Sequence, residues 1–184
     1  MSDLYRIALA ELGTVMDGVD DGAVDTACRM IADARRVGTY AGGREGLQIK
    51  GFAMRLFHLG CHVGVVADMT MPALGDGDLF VVSVGPGEIS TALALMGVAK
   101  DAGAKILFLT AQPNGRCAEL ADFVLTVPAQ TMANDQGASA TSVLPMGSLY
   151  EGALFVLFEV MVLKLRDIMA VSPETMRGNH TNME

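Results

Sequence analysis

The sequence predicts an α/β fold, a three-layer sandwich in which a five-stranded parallel sheet lies between layers of helices. Short apolar runs punctuated by Gly and Pro recur through the middle of the 184-residue chain. They alternate with stretches of helical period, the pattern of βαβ units. The runs LFVVSV, ILFLT and FVLTV are apolar almost throughout rather than at alternate positions, which means burial on both faces, as in a parallel sheet.

The elements follow in order. One or two helices precede Arg36, and strands are expected over 37–41, 62–66, 79–85, 105–110 and 123–128, each ending in turn-forming or small polar residues. A helix over 47–59 sets Leu47, Phe52, Leu56 and Leu59 near a common face and stops at Gly60, because glycine readily supplies the left-handed residue that ends a helix. A second helix spans 88–102. A long one spans about 148–170, with Leu154, Phe158, Met161, Leu165 and Ile168 at helical spacing. The segment 131–144 is polar and small, a loop of a length that is uncommon unless functional or disordered. From Ser172 onward the core pattern stops, and a solvated tail is the expectation. No linker or repeat divides the chain. One domain over 1–184 is expected: N-terminal helices (1–36), a parallel core (37–130), an active-site loop with the C-terminal helix (131–171), and the tail (172–184).

Composition narrows the function. Thirteen Lys and Arg against 21 Asp and Glu give a net charge of −8, which repels phosphate backbones and argues against a nucleic-acid partner. The longest apolar stretch, 152–165, is interrupted by Glu159 and Lys164 and is too short to span a bilayer. No basic, then apolar, leader opens the sequence. No membrane association is expected. Cys28, Cys61 and Cys117 are odd in number and widely spaced, so they read as reduced core thiols of a cytoplasmic protein. Thirteen methionines suit irregular interiors and helix faces buried between subunits. His58 and His62 have the spacing of a helical metal pair, but Gly60 between them ends the helix, so no metal site is expected.

The chemistry concentrates at two Gly-rich strand-to-helix turns, 41–46 (AlaGlyGlyArgGluGly) and 85–88 (GlyProGlyGlu). In parallel sheets ligands bind outside the carboxyl ends of the strands, where helix N-termini offer free N–H groups. These turns nominate Gly43, Arg44, Glu45, Gly85, Gly87 and Glu88 as ligand-binding residues, with Ser90 and Thr91 just beyond. Glu151 follows ProMetGlySer in the first turn of the long helix, where an acid complements the helix dipole.

Taken together, these motifs resemble the sugar isomerase (SIS) domain family, and within it the 6-phospho-3-hexuloisomerases. The resemblance rests on the GlyGlyArg turn followed by LysGlyPheAlaMetArgLeuPheHisLeuGly (50–60), GlyAspLeu (77–79), GlyProGlyGlu (85–88), ProMetGlySerLeuTyrGlu (145–151) and HisThrAsnMetGlu (180–184). It implies a five-stranded parallel sheet between helices, a homotetramer with sites at subunit contacts, and no metal or redox cofactor. It implies aldose–ketose, or keto-position, isomerisation of a sugar or sugar phosphate through an enediol. Glu151 matches the proton-transferring glutamate. His180 matches an active-site histidine, supplied by its own or a neighbouring subunit, with Asn182 and Glu184 ordering the tail. A non-catalytic sugar-sensing module is the alternative that the same resemblance allows.

The departures from that family fall in the loops that bind phosphate. The family has a serine where this chain has Glu45, and a SerGlySerGlyGluThr stretch where this chain reads ValGlyProGlyGluIle (84–89). Pro86 also removes a backbone donor. The expectation is an intact proton-transfer site beside an altered anion cradle, with Arg44 neutralising Glu45 and the helix N-terminus at Glu88 still available.

Overall fold

The computed structural model describes residues 2–183. Five strands, β1 (Val37–Ala41), β2 (Val63–Val65), β3 (Leu79–Ser83), β4 (Lys105–Thr110) and β5 (Phe123–Thr126), form one sheet of order β2-β1-β3-β4-β5. Every neighbouring pair is parallel, with Val37 opposite Leu79 and Ala41 opposite Ser83 across β1 and β3. Helices α1 (Ser2–Asp17), α2 (Asp21–Asp33), α3 (Glu45–His58), α4 (Ser90–Asp101), α5 (Arg116–Leu120), α6 (Ser148–Ile168) and α7 (Pro173–Gly178) complete it.

Side chains on β3 and β4 alternate between two cores, as the period of a strand requires. Leu79, Val81, Leu107 and Leu109 pack with residues of α2, α3 and α6. Phe80, Val82, Ile106 and Phe108 pack on the other face with Ala92, Met96 and Ala99 of α4 and Cys117 of α5. Both faces are thus covered, which is why these strands are apolar throughout. A stacked pair, Phe52 on α3 and Phe158 on α6, with ring centroids 4.3 Å apart, joins the two long helices of the first layer.

Several boundaries differ from the sequence expectation. Helix α3 begins two residues early because the Glu45 side chain turns inward and is held there by hydrogen bonds. Helix α4 begins at Ser90, so Glu88 lies in the preceding turn and not at the helix N-terminus. Leu47 and Ile168, expected on apolar faces, are exposed. Cys28 and Cys117 are buried, whereas Cys61 is half-buried against the core. The five-residue α5 is too short to show a period and was not expected.

The segment after Ser172 is not a bare solvated tail. The Ser172 side chain caps α7 by accepting from the Thr175 N–H, with Pro173 in the first turn, the pairing of cap and proline that starts a helix. Met176 packs on the core, and Asn179 donates to the His58 carbonyl at the end of α3 (2.9 Å). The expected role of Glu184 lies outside the described residues.

Candidate active site

Strand order reverses direction between β1 and β3: the chain moves from β1 outward to β2, then crosses to β3 on the other side of β1. Outside the carboxyl ends of two such strands a crevice opens, the usual ligand position of an open α/β sheet. The turns 41–46 and 85–88 flank it, and the N-terminus of α6 closes over it.

Glu45, the first residue of α3, crosses this crevice as a buried side chain. Its carboxylate accepts the Ser83 hydroxyl at 2.7 Å and the Gly85 N–H at 3.0 and 3.1 Å, one distance to each oxygen. The Ser83 proton is committed to Glu45, so the Tyr150 hydroxyl, 3.2 Å from Ser83 Oγ, donates to that oxygen. The result is a relay from Tyr150 through Ser83 to Glu45. Burial pushes the Glu45 carboxyl above its usual range, against the hydrogen bonds of Ser83 and Gly85, and the charge of Glu151 pushes the same way. Burial likewise pushes the Tyr150 phenol well above its ordinary value, helped by the Glu45 charge. Gly85 is fixed by its surroundings: a Cβ there would stand 2.8 Å from the Tyr150 ring and 3.1 Å from Glu45 Oε1.

Arg44 does not neutralise Glu45, contrary to the sequence expectation. It precedes the helix and is exposed, so its side chain reaches across the mouth instead of inward. Its Nε lies 3.1 Å from Glu151 Oε1, an Nη donates to the Met146 carbonyl, and the other Nη lies 3.4 Å from Ser148 Oγ. The turn that presents these acceptors is conformationally demanding. Met146 and Gly147 both have positive φ, 55° and 75°, and a non-glycine residue in that region carries strain that surrounding contacts must hold. Glu151 then sits in the first turn of α6, with its side chain 18% exposed. Burial raises its carboxyl above the usual range, and Arg44 offsets part of that rise.

Gly43 lies in the exposed turn before Arg44 with φ 56°. Gly87, with φ 92°, packs so closely on Gln112 that a Cβ would lie 2.8 Å from the Gln112 Cβ. Glu88 turns away to Arg116 (3.6 Å), and Ser90 and Thr91 open α4 at the surface. The loop 131–144 is tied down by residues the sequence reading passed over. Gln130 donates to the Asn134 and Ser139 carbonyls and accepts the Ser142 N–H, and Glu11 of α1 accepts from Ser142 Oγ and Val143 N–H.

His180 is not brought to Glu151 within the chain. It follows α7, its ring stacks on His58 with centroids 5.0 Å apart, and its Nδ1 lies 2.9 Å from the Thr181 carbonyl. His58 ends α3 and Glu45 begins it, so at 1.5 Å per residue the two ends of that helix stand about 20 Å apart. His180 lines a cavity of about 300 Å³ with Arg55, His58, Arg166, Met176 and Arg177. Sequence reasoning also missed Ser83 and Tyr150. The signals were a hydroxyl ending an otherwise apolar strand and a tyrosine directly before Glu151.

The model of the SIS domain family matches residues 30–156, from the end of α2 into α6, and so takes in the whole sheet and both turns of the crevice. The chain belongs to the SIS domain family. Relatives of this SIS chain include a Mycobacterium gastri protein, 39% identical over 166 residues that cover 90% of this chain and 82% of that one. A Methylomonas aminofaciens protein is 32% identical over the whole of both chains. Both are named 3-hexulose-6-phosphate isomerase. The fold is shared with the crystal structure of a Methanococcus jannaschii protein for which a molecular function of 3-hexulose-6-phosphate isomerase has been inferred, with a TM-score of 0.84 at 21% identity over all of both chains. This SIS chain is an enzyme of the isomerase class. No helix among the described residues is long and apolar enough to cross a membrane.

Proposed function

We propose that the enzyme moves a carbonyl group between adjacent carbons of a sugar or sugar phosphate through an enediol, with Glu151 as the base. The observation that carries this reading is the environment of Glu151: partly desolvated, beside the crevice at the ends of β1 and β3, and steered by one guanidinium. A carboxylate of raised proton affinity is suited both to take and to return a proton. It removes the proton from the hydroxyl-bearing carbon next to the carbonyl. The electron pair shifts to the carbonyl oxygen, which gains a proton and gives the enediol. The same carboxyl then protonates the former carbonyl carbon while the other hydroxyl loses its proton, so the exchange is redox-neutral overall. Arg44 offers its guanidinium to the negative charge that develops on the enediol oxygens. The names of the relatives support the substrate class.

His180 polarises the carbonyl or assists ring opening, and it acts in the site of a neighbouring subunit, because its own Glu151 is on the far side of the chain. A homotetramer is the assembly in this reading. Leu47, Met54 and Phe57 on α3 and Phe155 and Leu163 on α6 form an exposed apolar surface, of the kind that association covers. The three free thiols accord with a cytoplasmic setting.

The test is turnover of hexuloses and pentuloses, phosphorylated and not, in deuterated water, with the product examined by NMR. Solvent deuterium is expected at the carbon that gains hydrogen, and Glu151→Gln should lose label and turnover together. Undiminished isomerisation by that variant would remove Glu151 from the mechanism.

A further inference from the structure

We infer that the Glu45 carboxylate occupies, from within the chain, the anion position at the ends of β1 and β3, so that the sugar bound there presents an uncharged end and not a phosphate. The inference rests on reading this crevice as the sugar site. An anion at a switch point is held by free backbone N–H groups and the positive end of a helix. At Gly85 and at the N-terminus of α3 both are already taken. The Gly85 N–H points at Glu45, and Glu45 itself stands at the N-terminus of α3. Pro86 has no N–H to offer, and the Gly87 N–H donates to the Val84 carbonyl.

The volume is filled as well as the donors. Gly85 is wedged between the Tyr150 ring and Glu45, with no room for even a methyl group. The nearby Ser83 hydroxyl gives its proton to Glu45 and accepts from Tyr150. Whichever protonation state Glu45 adopts, an incoming phosphate would meet an occupied cradle. A hydroxyl asks for no charge compensation and is the group this crevice suits.

Calorimetry tests this with three probes: inorganic phosphate, D-fructose and D-fructose 6-phosphate. Wild type should show no phosphate binding and no preference for the phosphorylated sugar beyond roughly tenfold. Glu45→Ser, which empties the cradle and restores a hydroxyl, should bind inorganic phosphate at least about tenfold more tightly than wild type. A wild-type preference for the phosphorylated sugar of about a hundredfold would overturn the inference without need of any variant. So would a Glu45→Ser protein that unfolds cooperatively yet gains no phosphate binding. These readouts need no turnover. A failed isomerase reading appears separately, as absence of product with every sugar.

Discussion

Glu45 and Glu151 share the C-terminal end of the sheet, near enough for the charge of one to act on the other, and desolvation raises both carboxyls. Their surroundings separate them. Glu45 has both oxygens engaged by donors of its own chain and is buried beneath Tyr150. Glu151 holds one ion pair with an exposed surface arginine and keeps part of its side chain in solvent. A carboxylate whose lone pairs are satisfied inside the fold has nothing left for a ligand, whereas one held by a single exposed partner can exchange protons with whatever enters. A raised proton affinity alone therefore does not mark the base; the unspent hydrogen-bonding capacity beside it does.

The largest effect should follow removal of the exposed member of this pair. Glu151→Gln keeps shape and the Arg44 contact but no longer accepts a proton, and loss of a general base typically costs 10²–10⁴-fold in rate. Steady-state turnover within about threefold of wild type would break the comparison.

Next comes the packing that confines the buried member. Gly85→Ala sets a methyl 2.8 Å from the Tyr150 ring, and overpacking of this kind costs roughly 1–3 kcal/mol. Urea unfolding should show that loss, and unchanged stability would mean that the Tyr150–Ser83–Glu45 relay is slack.

A smaller effect concerns pH. Arg44 lowers the Glu151 carboxyl from the level to which burial raises it, so Arg44→Ala should move the acidic limb of the kcat/KM profile to higher pH, and Arg44→Lys should move most of it back. A limb that stays in place or falls would mean that the ion pair at 3.1 Å does not tune the base.

The smallest effect belongs to Glu45 itself. Its carboxyl is raised in the fold above the unfolded value of 4.5. Its contribution to stability is therefore fully present below about pH 4.5 and is lost as pH rises through the higher folded value. Glu45→Gln does not titrate, so the variant should gain on wild type across that window. Unfolding free energies measured from pH 4 to 8 check the sign, and a gap that widens in the wild type's favour as pH rises would contradict it.

Much of the scaffold was legible because parallel strands buried on both faces leave unbroken apolar runs. The alternation of LFVVS between the two cores and the stop at Gly60 follow from local rules. Arg44 and Glu45 were legible as neighbours in a ligand turn, but their division of labour was not. One residue before a helix and one inside its first turn point in different directions, and only the three-dimensional position of Gly85 decides which side chain is buried. The tail was misread for a related reason. Ser172 and Pro173 do announce a helix start, yet the six residues of α7 are held by a contact from Asn179 to the end of α3, which no local pattern encodes. Ser83 and Tyr150 gain meaning only once β3 and α6 meet.

The separation of Glu151 from His180 is the point on which the functional account turns. Within a chain they occupy opposite ends of the helical layer, and the account requires one site to draw on two subunits, as symmetric assemblies permit. Glu151→Gln and His180→Ala proteins, each inactive or strongly impaired alone, should be mixed under conditions of subunit exchange and assayed for isomerisation. The account predicts that activity returns on mixing, because some sites in the hybrids combine a native Glu151 with a native His180 from the neighbour. Two impaired proteins that exchange subunits, as light scattering and tagged-subunit capture would show, yet recover no activity would contradict it.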